Sequence, residues 1–79
     1  MSKNMMPGVQ SDAERQVFGR NFRSARERLR LSQRDVHQIT GVAQSHISEI
    51  ETGQSNISVD TMVKLANTVR KPLWKLFKV

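Results

Sequence analysis

Cysteine is absent from all 79 residues. That excludes a disulfide scaffold and any zinc finger with cysteine ligands. No apolar run approaches the ~18–20 residues of a membrane-spanning helix. No apolar segment follows Lys3, as a secretory signal would require. Nothing alternates polar and apolar residues for long enough to make a strand. Also missing are a Gly-rich phosphate loop, a metal-ligand cluster and a supported Ser/His/Asp set. His37 and His46 stand apart, with no cysteine and no acid cluster beside them, which does not match zinc spacing. The expectation is a cytoplasmic, non-enzymatic protein with no cofactor, no metal and no membrane attachment. A chain this short is expected to bury one small core and to leave no room for an effector pocket or a separate sensor domain.

Another absence is local. Residues 35–63 contain no Lys or Arg but four acids, Asp35, Glu49, Glu51 and Asp60. The basic residues lie on either side. Residues 12–34 hold seven arginines against three acids, and residues 64–79 hold five basic residues and no acid. The net charge of +6 points to an acidic partner, foremost nucleic acid. An arginine-rich face is also simply a solvated one, so charge alone does not assign a site.

Residues 1–11 carry Pro7, Gly8 and no period, and read as a flexible tail. Residues 12–79 read as one domain. Ser11, followed by Glu14, marks a capping box that opens a first helix ending near Arg30. Phe18, Phe22, Ala25 and Leu29 form its apolar stripe. Ser32 with Asp35 starts a second helix, in which Val36 and Ile39 follow at helical spacing and which Gly41 stops. A third covers Gln44–Thr52, with Ile47 and Ile50 inward and Gly53 at its end. Ser58 caps a fourth, with Asp60 near its positive end. Its inner stripe is Val59, Met62, Ala66 and Val69, with Val63 and Leu65 on the shoulders. Pro72 suits the first position of a last short helix, Leu73–Phe77. Five short helices result, an all-α fold. The four methionines read as fillers or tail residues.

Two short helices around one glycine turn follow the helix-turn-helix plan, which presents the outer face of the second helix to a major groove. On that face stand Gln44, Ser45, His46, Ser48 and Glu49. The stretch Phe22–Phe77 resembles the phage repressor/Cro-type (XRE-like) helix-turn-helix family. The matching residues are Leu31-Ser32-Gln33, Val36, Gly41-Val42, Gln44-Ser45, Ile47-Ser48, Ile50-Glu51, Gly53, Ile57-Ser58, Met62, Leu65-Ala66, Leu73 and Leu76-Phe77. The segments Ile47–Glu51 and Asn56–Ser58 look most like the small restriction–modification controller proteins.

The resemblance implies a compact five-helix, lambda-repressor-like domain that acts as a homodimer on double-stranded DNA, with helix three reading bases. It implies base contacts from Gln44, Ser45, His46, Ser48 and Glu49. Gln suits adenine, and Glu suits the cytosine amino group. Backbone contacts follow from Gln33, Arg34, Thr52, Gln54, Ser55, Asn56 and Ser58. Arg26 and Glu51 match a family ion pair between helices one and three. Trp74, Phe77 and Val79 are the candidate dimer surface, with Trp74 equally readable as core. The expected function is a sequence-specific transcriptional regulator on a pseudo-palindromic operator. The alternative is an antitoxin-type or other protein-interaction module with auxiliary DNA binding, suggested by the apolar C-terminus around Trp74.

Four positions depart from the family pattern. His37 replaces the usual Ala at the helix crossing, so the helices sit apart or His37 turns outward toward phosphate. Ala43 replaces the Ser or Thr that normally caps helix three. Arg70 replaces a glycine after helix four. Trp74 stands at a usually polar position.

Overall fold

The computed structural model describes residues 11–79. Residues 1–10, most of the expected tail, lie outside the described residues, and Ser11 is the N-cap of the first helix. Four α-helices and one 3₁₀ helix follow in order: α1 (Asp12–Arg28), α2 (Gln33–Thr40), α3 (Gln44–Glu51), α4 (Val59–Thr68) and the 3₁₀ helix Leu73–Phe77.

Local chemistry sets each boundary. At α1 the Ser11 hydroxyl accepts the Glu14 N–H at 3.5 Å, a long bond that makes half of the expected box. α1 stops two residues before Arg30, which takes a left-handed φ of 61°. The Leu31 N–H then returns to the Arg26 carbonyl at 3.1 Å and closes the end. At α2 the box is complete. The Asp35 N–H donates to the Ser32 hydroxyl at 2.9 Å, and the Ser32 N–H donates to Asp35 Oδ2 at 2.8 Å. The Ser32 backbone N–H, and then its hydroxyl, hold the Asp35 carboxyl below the usual carboxylate range. Gly41 ends α2 at a φ of 79°, a conformation that favours glycine. α3 begins at Ala43 with no side-chain cap. Ser58 caps α4 by accepting the Thr61 N–H at 3.1 Å. Arg70, in place of glycine, nonetheless adopts a φ of 61°.

The core gathers Phe18, Phe22 and Ala25 from α1, Val36 from α2, Ile47 and Ile50 from α3, Ile57 from the loop, Met62, Leu65, Ala66 and Val69 from α4 and its end, and Leu76. Each large side chain so buried contributes about 1.5–3 kcal/mol. Phe18 sits between Phe22 and Phe77, with ring centroids 6.4 and 5.4 Å away. Asn21 Nδ2 donates to the carbonyls of Leu76 (2.9 Å) and Lys78 (2.7 Å), tying α1 to the C-terminal segment.

Several expected core positions are corrected. Val59 is exposed and Leu29 is half out, whereas Leu65 is fully buried; Ile39, at helical spacing from Val36, is exposed as well. In short helices the end positions have no neighbour to cover them, so helical phase overstates the stripe. The inward face of α4 is centred on Met62, Leu65 and Ala66. Trp74 is 61 % exposed and is not core. The last element is 3₁₀, and Pro72 precedes it as a cap residue instead of occupying its first position.

Candidate nucleic-acid interface

α3 is held from behind by α1 and from the side by α2. The approach to α1 is very close. A Cβ added to Gly19 would collide with the Ile50 carbonyl oxygen and reach 3.0 Å from the Glu51 carbonyl. Only glycine lets the two backbones meet there. Beside this contact Arg26 grips Glu51 with two bonds, Nε to Oε2 at 2.6 Å and Nη2 to Oε1 at 3.0 Å. Both residues are buried. A third donor, Arg26 Nη1, reaches the Leu31 carbonyl at 2.7 Å. Gln33 Nε2 donates to Glu51 Oε1 at 3.0 Å and joins α2 to the same carboxylate. The hydrogen bond to Glu51, against the opposing effect of burial, holds the Arg26 proton even more firmly than in water. Among the described residues no buried side-chain polar atom lacks a partner. The expected Arg26–Glu51 pair therefore forms, and it extends to three elements.

The turn between α2 and α3 has its own hydrogen bonds. The Thr40 hydroxyl donates to the Val36 carbonyl at 2.7 Å and accepts the Val42 N–H at 3.1 Å. His37 Nδ1 lies 2.8 Å from the Val42 carbonyl. A carbonyl only accepts, so that ring nitrogen carries the hydrogen. Of the two expectations for His37, the outward orientation is the one observed. The ring is exposed and braces the turn.

α3 presents Gln44, Ser45, Ser48 and Glu49 to solvent. His46 is half-buried, with Nδ1 3.3 Å from the Ser55 hydroxyl and 3.9 Å from Glu49 Oε1. It ties α3 to the following loop as well as edging the exposed face. With Ala43 offering no cap, the amides of the first α3 turn keep no side-chain acceptor. Around this face lie the other expected residues. Arg34 is exposed beside Gln33. Gln33 spends one amide hydrogen on Glu51 and keeps a second. The Thr52 hydroxyl points back to the Ser48 and Glu49 carbonyls, at 3.2 and 3.1 Å. Gln54 is exposed. Asn56 Oδ1 accepts from Arg15 Nη1 at 2.8 Å. The Ser58 hydroxyl is occupied in capping α4.

Sequence reasoning missed three residues that shape this face. Gly19 sets the α1–α3 distance, Thr40 stitches the turn, and Arg15 orients the loop. Arg15 also pairs with Asp12 and reaches the Gly53 carbonyl at 3.4 Å. A glycine inside an otherwise helical stripe was the available signal for Gly19.

On the expected dimer surface, Trp74 and Val79 are exposed, whereas Phe77 is half-buried against Phe18.

Two short helices crossing over a left-handed glycine, the second with an open polar face, define a helix-turn-helix domain. A helix-turn-helix family model matches residues 22–73, and the chain belongs to that family of DNA-binding transcriptional regulators. The family acts by binding DNA and not by catalysis. An uncharacterized HTH-type transcriptional regulator from Haemophilus influenzae is 36% identical over 50 residues, covering 63% of this chain and 51% of the relative. The chain thus spans about half the length of that curated relative. The restriction-modification controller protein C.AhdI from Aeromonas hydrophila superposes with a TM-score of 0.77 at 31% identity, covering 82% of this chain and 98% of its own. The hypothetical transcription factor NHTF from Neisseria, at 23% identity, gives a TM-score of 0.78 over 96% of this chain and 90% of its own, a likeness of fold alone. Among the described residues no helix is long and apolar enough to cross a membrane.

Proposed function

We propose that the protein is a sequence-specific regulator that binds a pseudo-palindromic operator as a homodimer, with α3 in the major groove. The observation that carries this reading is the open polar face of α3, fixed from behind by the buried Arg26–Glu51–Gln33 network. Gln44, Ser45, Ser48 and Glu49 read base edges, with His46 at the margin. Arg34, the second amide hydrogen of Gln33, Gln54 and the loop Thr52–Ser58 meet the sugar–phosphate backbone. The uncapped amides of α3 add donors suited to phosphate. Because α3 itself has no Lys or Arg, attraction at long range comes from the basic flanks.

Trp74 and Val79 form the dimer contact together with the exposed end of α4, and Phe77 contributes only its uncovered edge. The half-sites then lie about one helical turn, ~10 bp, apart. Selection from random DNA duplexes tests the reading, followed by competition assays on the selected site. Gln44→Ala should lose about 1–3 kcal/mol of discrimination at one base position. If Gln44→Ala, Ser45→Ala and Glu49→Ala all keep full specificity, α3 does not read the operator.

The exposure of Trp74 also favours a second reading, a partner-binding module of antitoxin type with auxiliary DNA binding. Sedimentation separates the two. A dimer that Trp74→Ala dissociates supports the homodimer. A monomer that recovers a fixed stoichiometry only with a neighbouring gene product supports the partner.

A further inference from the structure

On the side of α1 turned away from α3, a cleft of about 290 Å³ opens between α1 and the C-terminal segment. Asn21, Ser24 and Arg28 line one wall, and Lys71, Lys75 and Lys78 line the other. An α-helix turns about 100° per residue. Asn21 and Arg28 therefore lie roughly 200° around the helix from Gly19 and Arg26, the residues that meet α3. Four cations face this one cleft and no acid lines it. None of the four forms an ion pair among the described residues. The acid beside Arg28 in the chain, Glu27, is engaged by Arg23 at 3.1 Å. Nor are the lysines on a loose tail, since Asn21 holds the carbonyls of Leu76 and Lys78 against α1.

We propose that this cleft binds a small, multiply charged phosphate anion, of the pyrophosphate and nucleoside di- or triphosphate class. Like charges gathered in a concave site repel one another, and an anion of matching charge relieves that repulsion. Lysine is a compact point charge with three donors, suited to phosphate oxygens arriving from several directions. The Ser24 hydroxyl adds an uncharged donor. A protein partner would bury about 800 Å² on each side, far more than this bounded cleft offers, so a compact ligand fits better than an acidic protein surface. The cleft lies on the far side of α1 from the face assigned to DNA, and the proposal stands whichever residues read bases.

The test is a titration of the full chain with inorganic pyrophosphate at constant ionic strength, followed by backbone amide NMR shifts and by thermal unfolding. The expected result is saturable shifts confined to residues 21–28 and 71–78, with a rise in Tm. Lys75→Gln/Lys78→Gln should weaken binding by about tenfold or more, as expected for lost charge-assisted bonds. Arg20→Gln/Lys64→Gln removes the same charge from exposed sites elsewhere and should leave affinity unchanged. All four substituted side chains are exposed, so both variants should fold, which far-UV circular dichroism verifies. The proposal is overturned by non-saturable shifts, by equal weakening in the two variants, or by shifts centred on the first turns of α2 and α3. It is also overturned if a poly-glutamate peptide saturates the site while pyrophosphate does not, which would assign the cleft to a protein partner.

Discussion

On the side of α1 that meets α3, Arg26 has three partners' atoms within 3.0 Å, two from Glu51 and one from Leu31. On the opposite side, Arg28 faces Lys71, Lys75 and Lys78 across a cleft with no acid. The same helix thus carries one arginine that is part of the scaffold and, two residues on, another that is not. Matched charge in the interior fixes geometry, because a buried ion without its partner is too costly to rearrange. Unmatched charge at the surface fixes no contact within the protein and is free to act on what approaches. The +6 of the chain resides mainly in this second kind of residue.

The comparison breaks first at Arg26. Arg26→Ala should cost about 3–5 kcal/mol, because Glu51 stays buried without its partner. Urea unfolding measures this. Arg26→Met combined with Glu51→Leu should recover most of the loss, and failure to recover would mean that the pair does more than satisfy itself. Next is the backbone contact beside it. Gly19→Ala should cost about 1–3 kcal/mol through overpacking, and it should weaken operator binding as α3 is pushed outward.

A smaller effect is expected where the matched side reaches α2. Ser32→Ala removes the cap and should cost about 1 kcal/mol. Asp35, held below the ordinary carboxylate range by Ser32, contributes its stabilisation fully above about pH 4 and loses it as pH falls through the lowered value. Stability of Asp35→Asn should accordingly fall less between pH 4 and the acid limit than that of the unsubstituted chain, as thermal melts across that range would reveal. The least effect sharpens the other side. Lys75→Gln should raise stability by less than about 0.5 kcal/mol in low salt, and the gain should disappear at about 1 M salt. A loss there would mean that the placement of the Lys75 ammonium over the Trp74 ring, 5.7 Å from its centroid, outweighs the repulsion within the cleft.

Features whose chemistry is local were readable from the sequence. The Ser32–Asp35 box, the left-handed Gly41 and the Ser58 cap each depend on residues within one turn, and all three form. The Arg26–Glu51 pair was readable only through the family resemblance, since nothing in local spacing joins residues of α1 and α3. Val59 was placed inward, and is exposed, because phase gives the direction of a side chain but not what lies opposite it. Gly19 was passed over for a related reason. Within α1 it registers as a weak helix former, and its purpose appears only when the Ile50 carbonyl arrives from another helix. The exposed residues of α3 were legible as a face. The engagement of Gln33, Thr52, Asn56 and Ser58 with the protein's own groups was not.

The Asn21 carboxamide, by holding the Leu76 and Lys78 carbonyls, gives the C-terminus a fixed address. Anything joined beyond Val79, whether a fused domain, a fluorophore or an affinity label, departs from a point beside α1, one residue past the last anchored carbonyl. Such an attachment stays close to α1 and reports the position of that helix. Asn21→Ala would turn that anchored handle into a swinging one.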